Sequence, residues 1–295
     1  MTAPDAELRV YVNGRLLPAR EATVSVWDSG LNFADGVFEG VRVYDGRVFR
    51  LEEHVARLYQ SARAFEIEIG MTPARFAEEI LGWLAANRVR DDFHFRPIVT
   101  RGRRYPPRMD PRFVEGGATI LFVGGPIAPA NLAGLRLVVS SVRRTGADAL
   151  DPRIKSLNYG NNLLARLDAR RRGADDAVML DREGFVAESS GANLFVVRSG
   201  QLLTPWPKAC LEGITRRTLM DLAASGGIPA AERDLTATDV MNADEVFLAG
   251  TGTEVTPVIR VDHAQIGDGR AGPVTRALAE RYGDLVRSTG TPICG

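Results

Sequence analysis

The sequence predicts an α/β (α+β) protein of two domains. Segments with one apolar helical face and pairs of short strands joined by tight turns occur in both halves of the 295-residue chain. A run dense in glycine and proline at residues 124–131 separates the halves and is typical of a linker. We therefore expect a small N-terminal α/β domain at residues 1–123, a linker at 124–134 and a larger α/β domain at 135–295.

The N-terminal half begins with two predicted hairpins. Asn13-Gly14 and Asp45-Gly46 are dipeptides that favour two-residue hairpin turns. A helix from about Leu51 has its apolar residues on one face, and Thr72-Pro73 is typical of the beginning of the next helix. Strands are predicted at residues 9–13, 15–17, 41–44, 47–50, 94–101 and 118–124.

The C-terminal half repeats the mixture of strands and helices. A strand is expected at about 135–142, and hairpins are expected at 177–187 and 193–204. Helices are expected at about 160–172, 214–225 and 273–288. Two such lobes joined by a short linker predict a cleft between them.

Composition excludes several classes of function. The 37 basic residues balance the 37 acidic residues, so no overall charge attracts a nucleic acid or an anionic membrane. No apolar run is long enough for a membrane span, and the first residues do not resemble a signal peptide. The two cysteines and three histidines show no spacing of metal ligands. We expect a cytoplasmic protein without a metal.

Lysine is the rarest of the basic residues here. Only Lys155 and Lys208 occur, and every other basic residue is arginine. Base composition of the genome accounts for most of this bias, but a lysine amine can form an imine, whereas arginine stays protonated. The two lysines are therefore a short list of candidate nucleophiles.

Two glycine-containing turns are candidate phosphate sites. Leu211-Glu-Gly-Ile-Thr215 stands directly before a predicted helix, whose first N–H groups attract anions. Gly250-Thr-Gly-Thr253 follows a predicted strand and favours an anion-binding turn. Each feature alone is common in proteins that bind no phosphate.

The order of the motifs is more specific than any one of them. Arg153-Ile-Lys155 with Asn158-Tyr159 is followed by Glu188-Ser-Ser-Gly-Ala-Asn-Leu-Phe195, by Leu211-Glu-Gly-Ile-Thr-Arg216 and by Gly250-Thr251. Phe38-Glu-Gly40-Val-Arg42 and Glu53-His-Val-Ala-Arg57-Leu58 precede them. In this arrangement, roughly residues 9–288 resemble the class IV pyridoxal-phosphate aminotransferases. The resemblance implies fold type IV, with a small N-terminal domain and a larger C-terminal domain built as a pseudo-barrel.

The resemblance also implies roles for individual residues. Lys155 would hold pyridoxal 5′-phosphate as a Schiff base and move the proton between the substrate α-carbon and the cofactor. Glu188 would keep the pyridine nitrogen protonated, and Tyr159 would bind the phenolic oxygen. The phosphate would be bound by Arg57, Ile214, Thr215, Gly250 and Thr251. Members of the family are typically homodimers.

The motifs leave several activities and substrates possible. Phe38 to Arg42 and Arg96 resemble the branched-chain aminotransferases, which exchange amino groups between aliphatic amino acids and 2-oxoglutarate. His94 and Phe33 stand where that pattern has tyrosines. Asp35-Gly36 and Thr100-Arg-Gly102 are more similar to D-amino-acid and (R)-amine transaminases. An aminodeoxychorismate lyase, which uses the same fold for elimination, is a further alternative. The candidate substrate-binding residues are Phe33, Phe38, Arg42, His94, Arg96, Arg103, Arg104 and Gly252.

Arg103, Arg104 and Arg108 permit two interpretations. They form either a solvated loop or part of the substrate pocket. A pocket position is reasonable because a buried substrate carboxylate needs a cation as its partner. Our hypothesis is that at least one of Arg103 and Arg104 reaches the pocket and makes 2-oxoglutarate a good acceptor. The expected partners are thus an amino donor and a 2-oxo acid acceptor.

Overall fold

The computed structural model describes residues 8–128 and 133–293, and these divide into two compact units. The first unit comprises the chain up to Ala128, the segment Ile154–Asn158 and the chain from Arg287 onwards. The second unit comprises the remainder. The segment that carries Lys155, which the sequence placed in the large domain, is thus grouped with the N-terminal unit.

The helices and strands of the described residues follow one another in a mixed order. The strands are β1 (Arg9–Val12), β2 (Arg15–Pro18), β3 (Gly36–Phe38), β4 (Val41–Tyr44), β5 (Arg47–Val48), β6 (Phe93–Thr100), β7 (Arg103–Arg104), β8 (Val114–Glu115), β9 (Thr119–Pro126), β10 (Leu135–Val139), β11 (Asp176–Leu180), β12 (Val186–Ser189), β13 (Asn193–Arg198), β14 (Gln201–Thr204), β15 (Ala230–Glu232), β16 (Glu245–Gly250), β17 (Glu254–Val261), β18 (Ala264–Gln265) and β19 (Thr291–Pro292). The α-helices are α1 (Ser29–Phe33), α2 (Leu51–Ala64), α3 (Pro73–Ala86), α4 (Gly160–Arg171), α5 (Ile214–Ser225), α6 (Ala237–Met241) and α7 (Pro273–Ser288).

The first unit is built on an antiparallel sheet in the order β19-β5-β4-β6-β9-β1-β2, with β3 also paired to β6. Asn13-Gly14 and Asp45-Gly46 form the turns of the β1–β2 and β4–β5 hairpins, all four with positive φ. Helix α3 begins after Thr72, whose hydroxyl accepts a hydrogen bond from the Arg75 N–H. The helices pack on an aromatic core in which Tyr11 and Phe122 stack at 4.2 Å.

The second unit is built on a mixed sheet in the order β12-β11-β10-β17-β16-β13-β14-β15, with β18 at the side of β17. Its central strands are buried on both faces, as β11 and β13 show. Helix α4 packs its alanines Ala165 and Ala169 against β10 and β11. The Glu245 carboxylate accepts hydrogen bonds from the first N–H groups of α7, Val274 at 3.0 Å and Thr275 at 2.7 Å.

The predicted α/β fold of two domains is confirmed, and the longer predicted elements are present within a few residues. Strand β9 continues to Pro126 and therefore takes up the first part of the predicted linker, whose residues 129–132 lie outside the described residues. The shortest elements, among them α1, β3, α6 and the β7–β8 pair, were not predicted because two to five residues carry too little periodicity. Within the described ranges, no helix combines the length and apolar character of a membrane span.

Candidate active site

The Lys155 segment is fixed within the first unit by backbone contacts. The Phe38 N–H donates to the Lys155 carbonyl at 3.0 Å, and the Lys155 N–H donates to the Ser61 hydroxyl at 3.1 Å. The Leu157 N–H donates to the Gly36 carbonyl at 2.9 Å. A Cβ at Gly36 would lie 2.8 Å from the Val99 carbonyl oxygen and 2.7 Å from the Leu157 side chain, and because the carbonyl belongs to the backbone, glycine is required here. Strand β3 and helix α2 thus determine where the amine of Lys155 lies.

One aromatic ring lies beside both the amine and a neighbouring cation. The Lys155 Nζ atom lies 4.7 Å from the centre of the Phe38 ring. The guanidinium of Arg96, on β6, lies 5.0 Å from the same centre. A nucleophilic amine, a cation and an apolar surface therefore occur in one cluster of the first unit.

A buried ionic cluster supports this region from α2. Glu39 is fully buried and binds Arg57 through both oxygens, with Nε–Oε1 at 2.6 Å and Nη2–Oε2 at 2.9 Å. His54 Nδ1 lies 2.8 Å from Oε2 of the same carboxylate. Burial raises the pKa of Glu39, but Arg57 and His54 outweigh it and hold that pKa well below its usual range. His54, Arg57 and Ser61 are three and four residues apart, which places them on one face of α2.

Two of the substrate-binding candidates are paired across neighbouring strands. Arg42 on β4 is opposite His94 on β6. Arg42 is buried and donates to Asp92 at 2.9 Å. Burial, followed by the charges of Arg96, Arg42 and Lys155, lowers the pKa of His94 to about 4, so this imidazole is neutral at pH 7. A Cβ at Gly40 would lie 3.0 Å from His94 Nε2, so Gly40 allows the ring its position.

The loop arginines have separate environments. Arg104 is buried, donates to Asp35 at 2.5 Å and to the Arg108 and Met109 carbonyls, and lies over the Phe33 ring at 5.2 Å. Arg103 is exposed, and its backbone lies opposite Glu115 in the antiparallel pairing of β7 and β8.

These positions bear on both interpretations of the loop. The interpretation as a solvated loop is correct for the exposed Arg103 and wrong for the buried Arg104. Because the Arg104 guanidinium already binds a carboxylate and two carbonyls, a substrate carboxylate would have to compete with Asp35.

In the second unit Glu188 lies at the end of β12 and is almost fully buried. Its Oε1 accepts from Arg144 Nε at 2.8 Å, and its Oε2 accepts from the Leu211 N–H at 3.3 Å. Tyr159 precedes α4 as its N-cap residue, and its side chain does not cap the helix. The carboxylate and the phenol predicted to bind one cofactor ring thus belong to the same unit.

The predicted phosphate-binding residues also lie in the second unit. Gly213 is the N-cap of α5 and offers no side-chain cap, so the first N–H groups of the helix are suited to an anion. A Cβ at Gly213 would lie 2.0 Å from Asn193 Oδ1, which requires glycine there. Gly250-Thr-Gly-Thr253 forms the turn between β16 and β17, closed by the Thr253 N–H on the Gly250 carbonyl at 3.1 Å. Both turns fit a phosphate group by the chemistry of their donors.

The structure distributes the predicted site residues between the two units. The first unit contains Phe33, Phe38, Arg42, Arg57, His94, Arg96, Arg103, Arg104 and Lys155. The second unit contains Tyr159, Glu188, Ile214, Thr215, Gly250, Thr251 and Gly252. Sequence reasoning missed Glu39, His54 and Ser61, although the first two lie within quoted motifs. It also missed Arg144, for which no local signal exists among the neighbouring arginines.

The chain is similar to known proteins over almost its whole length. Residues 36–261 match the family model described as amino-transferase class IV. A putative branched-chain-amino-acid aminotransferase of Methanocaldococcus jannaschii is 40% identical over 97% of this chain and 99% of that protein. A D-alanine aminotransferase of Listeria monocytogenes is 33% identical over 98% of each.

Solved structures give the same result. A branched-chain aminotransferase from Thermoproteus uzoniensis with norvaline superposes with a TM-score of 0.89 at 34% identity, over 97% of this chain and 99% of that one. The branched-chain amino acid aminotransferase from Thermobaculum terrenum, in its PLP-bound holo form, gives a TM-score of 0.88 at 32% identity, over 99% of this chain and 100% of that one.

Proposed function

The chain belongs to the class IV aminotransferases, which use pyridoxal 5′-phosphate, and on that premise we propose that it exchanges amino groups between an aliphatic amino acid and 2-oxoglutarate. The observation that supports this best is the cluster around Phe38. An aliphatic amino acid needs a cation for its carboxylate, an apolar surface for its side chain and an amine close to its α-carbon. Arg96, Phe38 and Lys155 supply these three properties within one unit.

The cofactor, when bound, supplies an aldehyde and an electron-withdrawing ring. We assign to Lys155 the covalent attachment of the cofactor and the movement of the proton at the substrate α-carbon. Glu188 would hold the pyridine nitrogen, and Tyr159 would hold the phenolic oxygen. The residues that would hold the phosphate are Arg57 of the first unit and, at the two turns of the second unit, Ile214, Thr215, Gly250 and Thr251.

The substrate carboxylate is assigned to the first unit. Arg96 and Arg42 are the cations beside His94, whose neutral imidazole can donate or accept a hydrogen bond in place of the tyrosine expected there. For the second carboxylate of 2-oxoglutarate, Arg103 is the better candidate of the two adjacent arginines, because Arg104 is already bound to Asp35.

A D-amino-acid or (R)-amine transaminase is the second candidate. The D-alanine aminotransferases among the relatives support it, as do the segments around Asp35 and Arg101. These two residues form an ion pair, Nε–Oδ2 at 2.8 Å and Nη2–Oδ1 at 3.0 Å, which joins the two segments that resemble that branch. A lyase of the aminodeoxychorismate type is a weaker alternative that no structural feature favours.

We also propose that the protein is a homodimer in the cytoplasm. Val26, Leu31 and Met109 of the first unit are each more than two-thirds exposed, and Leu163 and Leu164 of α4 are more than half exposed. Exposed apolar side chains of this size are candidates for burial against a second copy of the chain, which supports a homodimer. Light scattering after gel filtration should give twice the chain mass.

The cytoplasmic location is supported by Cys210, which is buried and free, as is usual in a reducing compartment.

One assay separates the candidate reactions. L-leucine, L-valine, L-glutamate, D-alanine and an (R)-amine are offered with 2-oxoglutarate and with pyruvate as acceptors. Fastest turnover of L-leucine or L-valine with 2-oxoglutarate supports the proposal. Turnover of D-alanine or the (R)-amine alone would replace it with the second candidate, and release of pyruvate from aminodeoxychorismate without any acceptor would indicate the lyase.

A further inference from the structure

Arg144 of the second unit was not among the residues predicted for the site, yet it contacts one of them. Its Nε atom donates to Glu188 Oε1 at 2.8 Å, and both residues are less than 10% exposed. A hydrogen bond between two charged groups out of water is short and strong, and neither partner can exchange it for water. The carboxylate proposed to bind the pyridine nitrogen therefore has a buried cation as a neighbour.

The backbone around Arg144 is held from two elements. Its own N–H donates to the Leu180 carbonyl at the end of β11, at 2.8 Å. The Asn161 side chain, in the first turn of α4, accepts from the Thr145 N–H at 3.2 Å and donates to the Arg143 carbonyl at 2.8 Å. The Asn161 oxygen also lies 3.4 Å from Arg144 Nη1. The backbone on both sides of Arg144 is thus fixed, and its guanidinium is held by two side-chain acceptors, Glu188 and Asn161.

The second oxygen of Glu188 is positioned as well. It accepts from the Leu211 N–H, and the Leu211 carbonyl in turn accepts from the Asn193 amide at 2.9 Å. Both oxygens of Glu188 thus accept from a protein donor, and a carboxylate oxygen can accept more than one hydrogen bond.

Other charged and titratable groups lie near this site, in particular Cys210, Glu212 and Arg216. Arg216 is bound to Glu232 at 2.6 Å, and burial together with the Glu188 charge raises the pKa of the Cys210 thiol.

We propose that Arg144 is a positioning residue that keeps Glu188 ionised and oriented, so that the proton shared with the cofactor stays on the pyridine nitrogen. This inference rests on the proposed role of Glu188. The physical reason is basicity: a guanidinium at hydrogen-bond distance stabilises the carboxylate charge and makes the carboxylate a weaker base. Without Arg144 the ring N–H proton moves to a Glu188 oxygen, which leaves the ring neutral and a poorer acceptor of electrons.

The test uses the holoenzyme loaded with cofactor labelled with ¹⁵N at the ring nitrogen, whose chemical shift reports protonation directly. Arg144→Met should move the shift toward that of the unprotonated ring, with the ratio of protonated to unprotonated ring falling about tenfold or more. Arg144→Lys, which retains the charge, should restore most of the parent shift. Arg198→Met removes an exposed arginine paired with Asp239 in the same unit and should leave the shift unchanged. A purely structural role for Arg144 would lower stability without moving the shift.

The outcomes are distinguishable from a failure of the proposed function. If Glu188→Gln keeps the parent shift, the role proposed for Glu188 is wrong. If Glu188→Gln changes the shift and Arg144→Met does not, only the inference about Arg144 is overturned.

The double variant Arg144→Met/Glu188→Gln leaves no unpaired charge and should fold even where Arg144→Met does not. Its shift should equal that of Glu188→Gln alone, because Arg144 acts through Glu188. A further displacement in the double variant would also overturn the inference.

Discussion

Arg57 and Glu39 form a buried bidentate ion pair, in which Nε of Arg57 lies 2.6 Å from Oε1 and Nη2 lies 2.9 Å from Oε2. The arginine is the candidate phosphate donor of the first unit, and the carboxylate that holds it is fully buried. Loss of Arg57 therefore has two separate consequences, one for the cofactor and one for the stability of the unit.

Arg57→Ala should weaken cofactor binding and also destabilise the protein. The lost bond to a charged phosphate corresponds to roughly 1.5–3 kcal/mol, and the loss of the arginine that pairs with the buried Glu39 adds roughly 3–5 kcal/mol of lost stability. Thr251→Ala should weaken cofactor binding alone. Equilibrium dialysis against pyridoxal 5′-phosphate and against pyridoxal, together with urea unfolding, measures both effects. An equal loss of affinity for the two ligands would contradict the assignment to phosphate.

The proposed covalent attachment of the cofactor to Lys155 predicts that the purified protein is yellow. Borohydride reduction followed by peptide mapping should place the label on Lys155. Lys208 is the matched control, since it is exposed and paired with Asp234 at 3.1 Å. Lys208→Ala should therefore retain colour and activity, whereas Lys155→Ala should lose both. Label recovered on Lys208 would overturn the assignment.

Glu188→Gln should retain the cofactor and lose most of its turnover. The neutral amide of glutamine does not balance the charge of a protonated pyridine nitrogen. A positioned acid or base contributes on the order of 10²–10⁴-fold to the rate, and we expect turnover to fall by a factor of this size. Single-turnover kinetics with a saturating amino donor measure the chemical step without product release. A variant that reacts nearly as fast as the parent would assign the role to another residue.

Arg103→Ala and Arg104→Ala should differ from each other. Arg104 binds Asp35 and two carbonyls from a buried position, so Arg104→Ala should lower the free energy of unfolding by about 3–5 kcal/mol. The exposed Arg103 should be dispensable for folding, and Arg103→Ala should raise KM for 2-oxoglutarate while leaving KM for an uncharged aliphatic oxo acid unchanged. Equal effects of Arg103→Ala on both acceptors, or none on either, would leave this arginine without a role in acceptor binding.

His94 should make the stability of the protein depend on pH between about 6.5 and 4. Its pKa is lowered to about 4 in the folded protein from an ordinary 6.5, so the unfolded chain binds the proton more readily. The contribution of His94 to stability is therefore complete above pH 6.5 and falls as the pH decreases toward 4, by about 2 kcal/mol at pH 5. Urea unfolding of the parent and of His94→Gln at pH 7 and pH 5 checks this. The variant should lose less stability than the parent, and an identical loss would show that His94 titrates normally.

The local elements of the fold could be predicted from the sequence because their causes are local. The hairpin turns at Asn13-Gly14 and Asp45-Gly46, the proline-initiated helix after Thr72 and the helix that begins after Gly213 depend on the conformations that a few neighbouring residues allow. The order of motifs around Lys155, Glu188 and Thr215 predicted the family, and the comparisons confirm it.

The charge pairing of the site was decided by the tertiary structure alone. Arg144 and Glu188 are 44 residues apart, and Arg104 and Asp35 are 69 residues apart. No local pattern links such residues, and an arginine in a run of arginines looks solvated whether or not a carboxylate meets it. The free energy of a buried charge depends on what surrounds it in space, so only the folded chain distinguishes the buried Arg104 from the exposed Arg103.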